Sequence, residues 1–225
     1  EHGVDIDTRG WGSDYATIGT CIHDIFAAYH RGEAAKNDAA AVSIIGGYGV
    51  TKQLMGHKDA IFAAVDWLYS VLQNHFPQKE GDGVEREVPF QMTLDDGRTL
   101  RGEIDLIWHY TDDNGAKRAV LVDYKSFQGV DLNAHTKTHY AQLSAYAAAL
   151  EKAGLDLTHA LVYYPVRGVI HKLDWNDLSL SGKKCTFAQA TSILSATNKV
   201  IEEAEIPQEG FSLIFIIRKT FTGQQ

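Results

Sequence analysis

The chain has 225 residues, 44% hydrophobic, 22% charged and 10% aromatic, the composition of an ordinary soluble globular protein with a substantial core. No run approaches the roughly 18 consecutive apolar residues of a membrane span, and no low-complexity segment interrupts the chain. A net charge of -8 argues against a free-standing DNA binder, because phosphate contacts need Lys and Arg.

The start, Glu1-His2-Gly3-Val4-Asp5, has no basic or apolar signal region and no Met, which reads as a piece cut from a longer protein. Residues 1–13 read as a leading loop. From Ala16 the pattern turns helical: Ile18, Ile22, Ile25, Phe26 and Tyr29 recur at spacings of three and four and make one apolar face, with Gly32 as the stop. A short helix near 34–44 and a loop at Gly46-Gly47 follow. A firmer helix spans 58–76, with Ile61, Val65, Leu68 and Leu72 on one side and Pro77 closing it. Lys79 to Gly83 is a turn or linker.

Strand texture then takes over. Val84 to Leu94, a hairpin turn at Asp95-Asp96-Gly97, and a return strand from Thr99 to Tyr110 precede a second turn at Asp112-Asp113-Asn114-Gly115. Ala119-Val120-Leu121-Val122 is the short apolar run of a buried central strand. Residues 136–153 predict a helix, 157–166 and 168–175 two strands, 186–204 a last helix and 211–217 an apolar strand or packed tail. The order predicts an α/β sheet core with a helical N-terminal extension.

Two cysteines, Cys21 and Cys185, lie far apart and cannot build a four-cysteine metal or iron–sulfur site; a reducing, cytoplasmic compartment is the default. The chemistry concentrates elsewhere. Residues two apart on a strand share a face, so Asp123 and Lys125 project together and Tyr124 points the other way. The hairpin through Asn114-Gly115 brings the strand carrying Asp105 beside the strand carrying Asp123. Two carboxylates there form a hard-oxygen site suited to Mg²⁺ or Mn²⁺. A neighbouring Lys can orient a water or neutralise charge on a phosphate. The plain alternative is an exposed Asp–Lys ion pair on a surface hairpin. Against it, an apolar run leads straight into Asp123, where a buried charge without a ligand is costly.

Gly102-Glu103-Ile104-Asp105, then Asp123-Tyr124-Lys125-Ser126, then Gln142-Leu143-Ser144-Ala145-Tyr146 resembles the RecB-like branch of the PD-(D/E)XK nuclease superfamily. That branch shows G-x-x-D, D-Y-K-[ST] and Q-x-x-x-Y in this order. It commonly adds G-x-x-x-H on an early helix, which Gly19-Thr20-Cys21-Ile22-His23 supplies. The match looks closest to nuclease domains at the C-termini of UvrD/Rep-type helicases, such as the exonuclease V β subunit and the AddA proteins.

The resemblance implies a restriction-endonuclease-like mixed sheet flanked by helices. It implies one nuclease domain over 1–225, with a helical part at 1–78 carrying His23 and a sheet core at 84–225. Asp105 and Asp123 would be metal ligands, the Tyr124 carbonyl a backbone ligand, Lys125 the catalytic lysine and His23 a further ligand. Gln142 and Tyr146, one helical turn apart, would border the site and the DNA. Glu87 is the candidate upstream acid, with Glu85 as runner-up; Glu103 shares a face with Asp105. The implied activity is Mg²⁺- or Mn²⁺-dependent hydrolysis of end-containing DNA, exonucleolytic, with helicase domains upstream and a role in repair or recombination. A nuclease fold kept for DNA-end or partner docking, and a structure-specific endonuclease, are the competing readings. The iron–sulfur staple of AddB-like relatives cannot be built, and no Walker A sequence is present.

Overall fold

The computed structural model describes residues 6, 8, 11, 15–29, 38–93, 99–127 and 129–173. The expected turn at 95–97, the helix at 186–204 and the apolar segment at 211–217 lie outside them. Four helices come first: α1 (Tyr15–Tyr29), α2 (Asp38–Gly47), the single turn α3 (Thr51–Leu54) and α4 (Lys58–His75). Strands β1 (Val84–Thr93), β2 (Thr99–Thr111) and β3 (Lys117–Tyr124) follow, then α5 (Leu132–Thr138), α6 (Tyr140–Lys152), β4 (Leu157–Tyr164) and β5 (Val169–Lys172).

The strands form one sheet in the order β1-β2-β3-β4-β5. β1, β2 and β3 are an antiparallel meander, β3 and β4 are parallel, and β5 returns antiparallel to β4. The parallel step needs a crossover, and α5 and α6 supply it. No helix among the described residues is long and apolar enough to cross a membrane.

β3 is the spine. Its residues from Ala119 to Tyr124 are all buried. Val120, Val122 and Tyr124 join a core built with α1 and α4; Ala119 and Leu121 join a second core built with α6. The strict alternation is why a run with no polar residue before Asp123 is stable only with helices on both faces. Each buried Val or Leu contributes about 1.5–3 kcal/mol. Tyr163 on β4 reaches the α4 face, where its hydroxyl donates to the Ala64 carbonyl at 2.9 Å.

Two sequence expectations need correction. α2 runs through Gly46-Gly47 rather than ending before them: Tyr48 N–H still donates to the Ile44 carbonyl, and the stop is Gly49 at φ 72. The single helix expected at 136–153 is two. Asp131 caps α5 early by accepting from Ala134 N–H at 2.9 Å. The hydroxyls of Thr136 and Thr138 then donate back to the carbonyls of Leu132 and His135, and the chain tightens at His139, whose N–H turns to Thr136. Such back-bonding competes with the helical ladder.

Candidate active site

The β2–β3 ladder ends at Leu106 and Val122. One residue further on are Asp105 and Asp123. The strands do not pair there; instead Tyr124 N–H donates to the Asp105 side chain, Oδ2, at 2.5 Å. A carboxylate has thus taken the position a backbone carbonyl would hold. On the other side, the paired residues Arg86–Leu106 and Val88–Ile104 flank Glu87 and Asp105. Asp123 in turn pairs with Val162 on β4. Glu87, Asp105 and Asp123 therefore form one cross-strand row, where like charges repel.

Burial sets the electrostatics of this row. Asp123 is 3% exposed and Asp105 13%. Desolvation raises both carboxyls to about 6, against the pull of Lys125. Glu87 is pushed up to about 9, first by burial, then by its hydrogen bond with Glu103 and the charge of Asp105. Its backbone is left-handed, φ 47, a conformation costing a non-glycine residue roughly 1–3 kcal/mol and concentrated at functional sites. Glu85 points elsewhere, 2.6 Å from His109 Nε2.

Lys125 Nζ lies 2.9 Å from Asp123 Oδ2. Among the described residues, that ammonium is the one polar group against Oδ2. The backbone N–H of Lys125 donates to the Tyr163 carbonyl, so the lysine is anchored on the parallel neighbour. Tyr124 faces away, against Phe26 and edge-on to His23 at 5.5 Å.

His23 enters from α1, with Nδ1 3.9 Å from Asp105 Oδ1. Burial, with Lys125 adding to it, lowers its pKa to about 4, so near neutral pH the ring is uncharged and keeps a lone pair. Gly19 explains how the helix comes so near: a Cβ there would stand 3.0 Å from Ser126 Cβ and Oγ. Gly102 is similar, since a Cβ would meet the Phe90 ring at 2.6 Å. The glycines of both motifs are thus positions of close approach. Cys21, on the same helix, is a core thiol that burial raises to about 12.

Gln142 and Tyr146 lie on the opposite helical layer, on the face Asp123 shares. Gln142 Nε2 donates to the Tyr146 hydroxyl at 2.6 Å, and Oε1 is buried with no hydrogen-bond partner. Burial and then the charge of Asp123 raise the Tyr146 phenol far above its ordinary value. The sequence reading overlooked two neighbours, His135 and His139. His135 stacks on Phe127 at 3.8 Å, and His139 lies edge-on to it at 4.8 Å. Burial, then Lys125, lowers the pKa of both. The signal was present: positions 135, 139, 142 and 146 recur at helical spacing.

No group of three His, Cys, Asp or Glu side chains stands arranged to hold an ion among the described residues. The donor chemistry nevertheless fits a hard divalent cation. Two carboxylates on adjacent strands have raised pKa values, and one of them is contacted by an ammonium that supplies compensating charge.

A family model described as the PD-(D/E)XK nuclease superfamily matches residues 11–214. A solved structure described as "Crystal structure of SSO0001" is similar at 15% identity, covering 89% of this chain and 83% of that chain. Its TM-score of 0.34 is too slight to bear on function. No curated protein matches.

Proposed function

Because the chain belongs to the PD-(D/E)XK nuclease superfamily, we propose that it is a metal-dependent deoxyribonuclease centred on Asp105, Asp123 and Lys125. Nucleases of this superfamily generally use divalent metals such as Mg²⁺. The observation that carries the reading is the row Glu87–Asp105–Asp123 with Lys125 Nζ 2.9 Å from Asp123. Asp105 and Asp123 would hold Mg²⁺ or Mn²⁺, with His23, the Tyr124 carbonyl and Glu87 completing the set. A bound divalent cation supplies Lewis-acid stabilisation of charge on the phosphate. Lys125, released from Asp123, orients the attacking water or neutralises a phosphate oxygen. Water oxygen bonds to phosphorus as the P–O3′ bond breaks, leaving a 5′-phosphate and a 3′-hydroxyl. Gln142 and Tyr146 border the scissile group from α6. The resemblance to helicase-coupled nucleases favours exonucleolytic action on DNA ends, in the cytoplasm, next to helicase domains and in repair or recombination.

The net charge of -8 favours one other reading, a nuclease fold used to dock DNA ends or a partner. Calorimetric titration with Mn²⁺ separates them. The nuclease binds Mn²⁺ in a manner that Asp105→Ala removes and degrades end-labelled linear DNA; a docking module does neither. Cutting of a circular single strand would instead indicate an endonuclease.

A further inference from the structure

The cross-strand row does not stop at Asp123. Asp123 pairs with Val162, and Val162 pairs with His171 on β5. Opposite residues in a ladder share a face, so His171 lies on the face of the acids, two strand spacings or roughly 10 Å away. There the sheet, α5 and the start of α6 line an open cavity of about 460 Å³. Its polar lining is Asn133, Thr136, Lys137, Tyr140, His171 and Lys172, with no carboxylate among the described residues. Two ammonium groups stand here with no carboxylate in the described lining, in a chain of net charge -8.

Hydrogen bonds fix the cavity floor and tie it to the site. The Thr136 hydroxyl gives its proton to the Leu132 carbonyl. Its oxygen must therefore accept from both remaining neighbours, the Tyr164 hydroxyl at 2.9 Å and His171 Nδ1 at 3.0 Å. Tyr164, its proton spent, accepts from His135 Nδ1 at 3.0 Å. His135 stacks on Phe127, two residues past Lys125. His171 is thus held by Nδ1, and its Nε2 has no hydrogen bond among the described residues. Thr136 is buried and His171 half-buried at the floor, while Lys137 and Lys172 are exposed at the rim.

We propose that this groove holds the phosphodiester backbone of the DNA strand beside the scissile phosphate, with Lys137 and Lys172 as the phosphate contacts and His171, its Nδ1–H committed to Thr136, as part of the floor. The inference rests on the nuclease reading for its substrate, and it answers the charge objection: the chain need not be basic overall if its cations are gathered along the path of the strand. Phosphate contacts of this kind position the nucleic acid without reading sequence.

The test is strand binding by the full 225-residue chain in EDTA, read as fluorescence anisotropy of a labelled single-stranded oligodeoxynucleotide over a salt series. Each phosphate contact to a single strand contributes about 0.7 to the slope of log K against log salt. The double variant Lys137→Gln/Lys172→Gln should flatten that slope by about 1.4 and weaken binding roughly tenfold at low salt. Lys137→Arg/Lys172→Arg should restore both. The control Lys52→Gln/Lys79→Gln removes two cations elsewhere, on α3 and before β1, and should change little. Equal loss in the two Gln pairs, no loss in either, or no strand binding by the wild type each overturns the groove. If the wild type cleaves with Mg²⁺ while the groove pair binds as before, the groove fails and the nuclease stands. If binding depends on the pair but nothing is cleaved, the nuclease reading fails alone.

Discussion

The β2–β3 hairpin has two ends, and both are acidic. At the turn end, Asp82 accepts from Lys79 N–H, Thr111 N–H, the Thr111 hydroxyl and Lys117 Nζ, all at 2.8 Å. Asp112 accepts from Asn114 and Ala116 N–H and pairs with Arg118, which also pairs with Asp156. The Lys117 ammonium and the Lys79 N–H hold the Asp82 carboxyl well below its usual range, and the Ala116 N–H and then Arg118 do the same for Asp112. At the open end, burial drives Glu87, Asp105 and Asp123 the other way. Carboxylates around one hairpin are satisfied at its turn end and short of donors at its open end. Carboxylates surrounded by donors stabilise a fold; carboxylates buried short of donors, with raised pKa, are candidates for chemistry.

The largest effect that would sharpen this contrast is on activity. Asp123→Ala and Lys125→Ala should each lower DNA cleavage on the order of 10³-fold, with circular dichroism unchanged. Asp82→Asn should leave cleavage intact and lower the melting temperature. An Asp123→Ala protein that still degrades DNA at the wild-type rate would dissolve the distinction between the two ends.

A smaller effect concerns pH, and its sign differs between the ends. A carboxyl with a raised folded pKa stabilises the native state below its unfolded pKa, near 4, and loses that contribution as pH rises through about 6. One with a lowered pKa contributes above about 4 and loses this only as pH falls below it. Asp123→Asn should therefore gain on the wild type as pH rises from 4 to 7, reaching roughly 2–5 °C in melting temperature. Asp112→Asn should lag the wild type by a nearly constant amount over that range and catch up only as pH falls below about 4. Mn²⁺ at pH 7.5 should raise the wild-type melting temperature and leave Asp123→Asn unmoved. Parallel pH curves for the two variants would contradict the assignment of opposite roles.

How much of this was legible in the sequence follows from the range of the forces involved. Alternation in Ala119 to Tyr124 and the turn at Asn114-Gly115 act over a few residues, so β3, its hairpin and the shared face of Asp123 and Lys125 could be read directly. The superfamily was legible in the ordered motifs, and the mixed sheet followed from it. What the sequence hid leaves no mark on hydrophobic periodicity. The left-handed backbone of Glu87 is invisible in the strand pattern. The break at His139 depends on two threonine hydroxyls choosing backbone carbonyls over the helix. The stripe of His135, His139, Gln142 and Tyr146 had the right spacing, but only the packing of α5 and α6 on the sheet brings it near Lys125 and Asp123.

The smallest predicted effect probes how α1 approaches the open end. Gly19→Ala adds a Cβ 3.0 Å from Ser126, whose Oγ can rotate away but whose Cβ cannot. The helix should shift by a few tenths of an ångström, carrying His23 away from Asp105. Alanine also gains about 1 kcal/mol of helix propensity over glycine, which offsets the crowding, so the melting temperature should stay within a degree or two. Mn²⁺ affinity should nevertheless fall a few-fold. Gly115→Ala at the turn end makes the opposite trade. Its φ of 81 strains any side chain, so stability should drop by about 1 kcal/mol while Mn²⁺ binding holds. Calorimetric melting and Mn²⁺ titration on the two variants separate stability from site geometry. If both lose only stability, the close approach of α1 is packing and His23 has no part in the metal set.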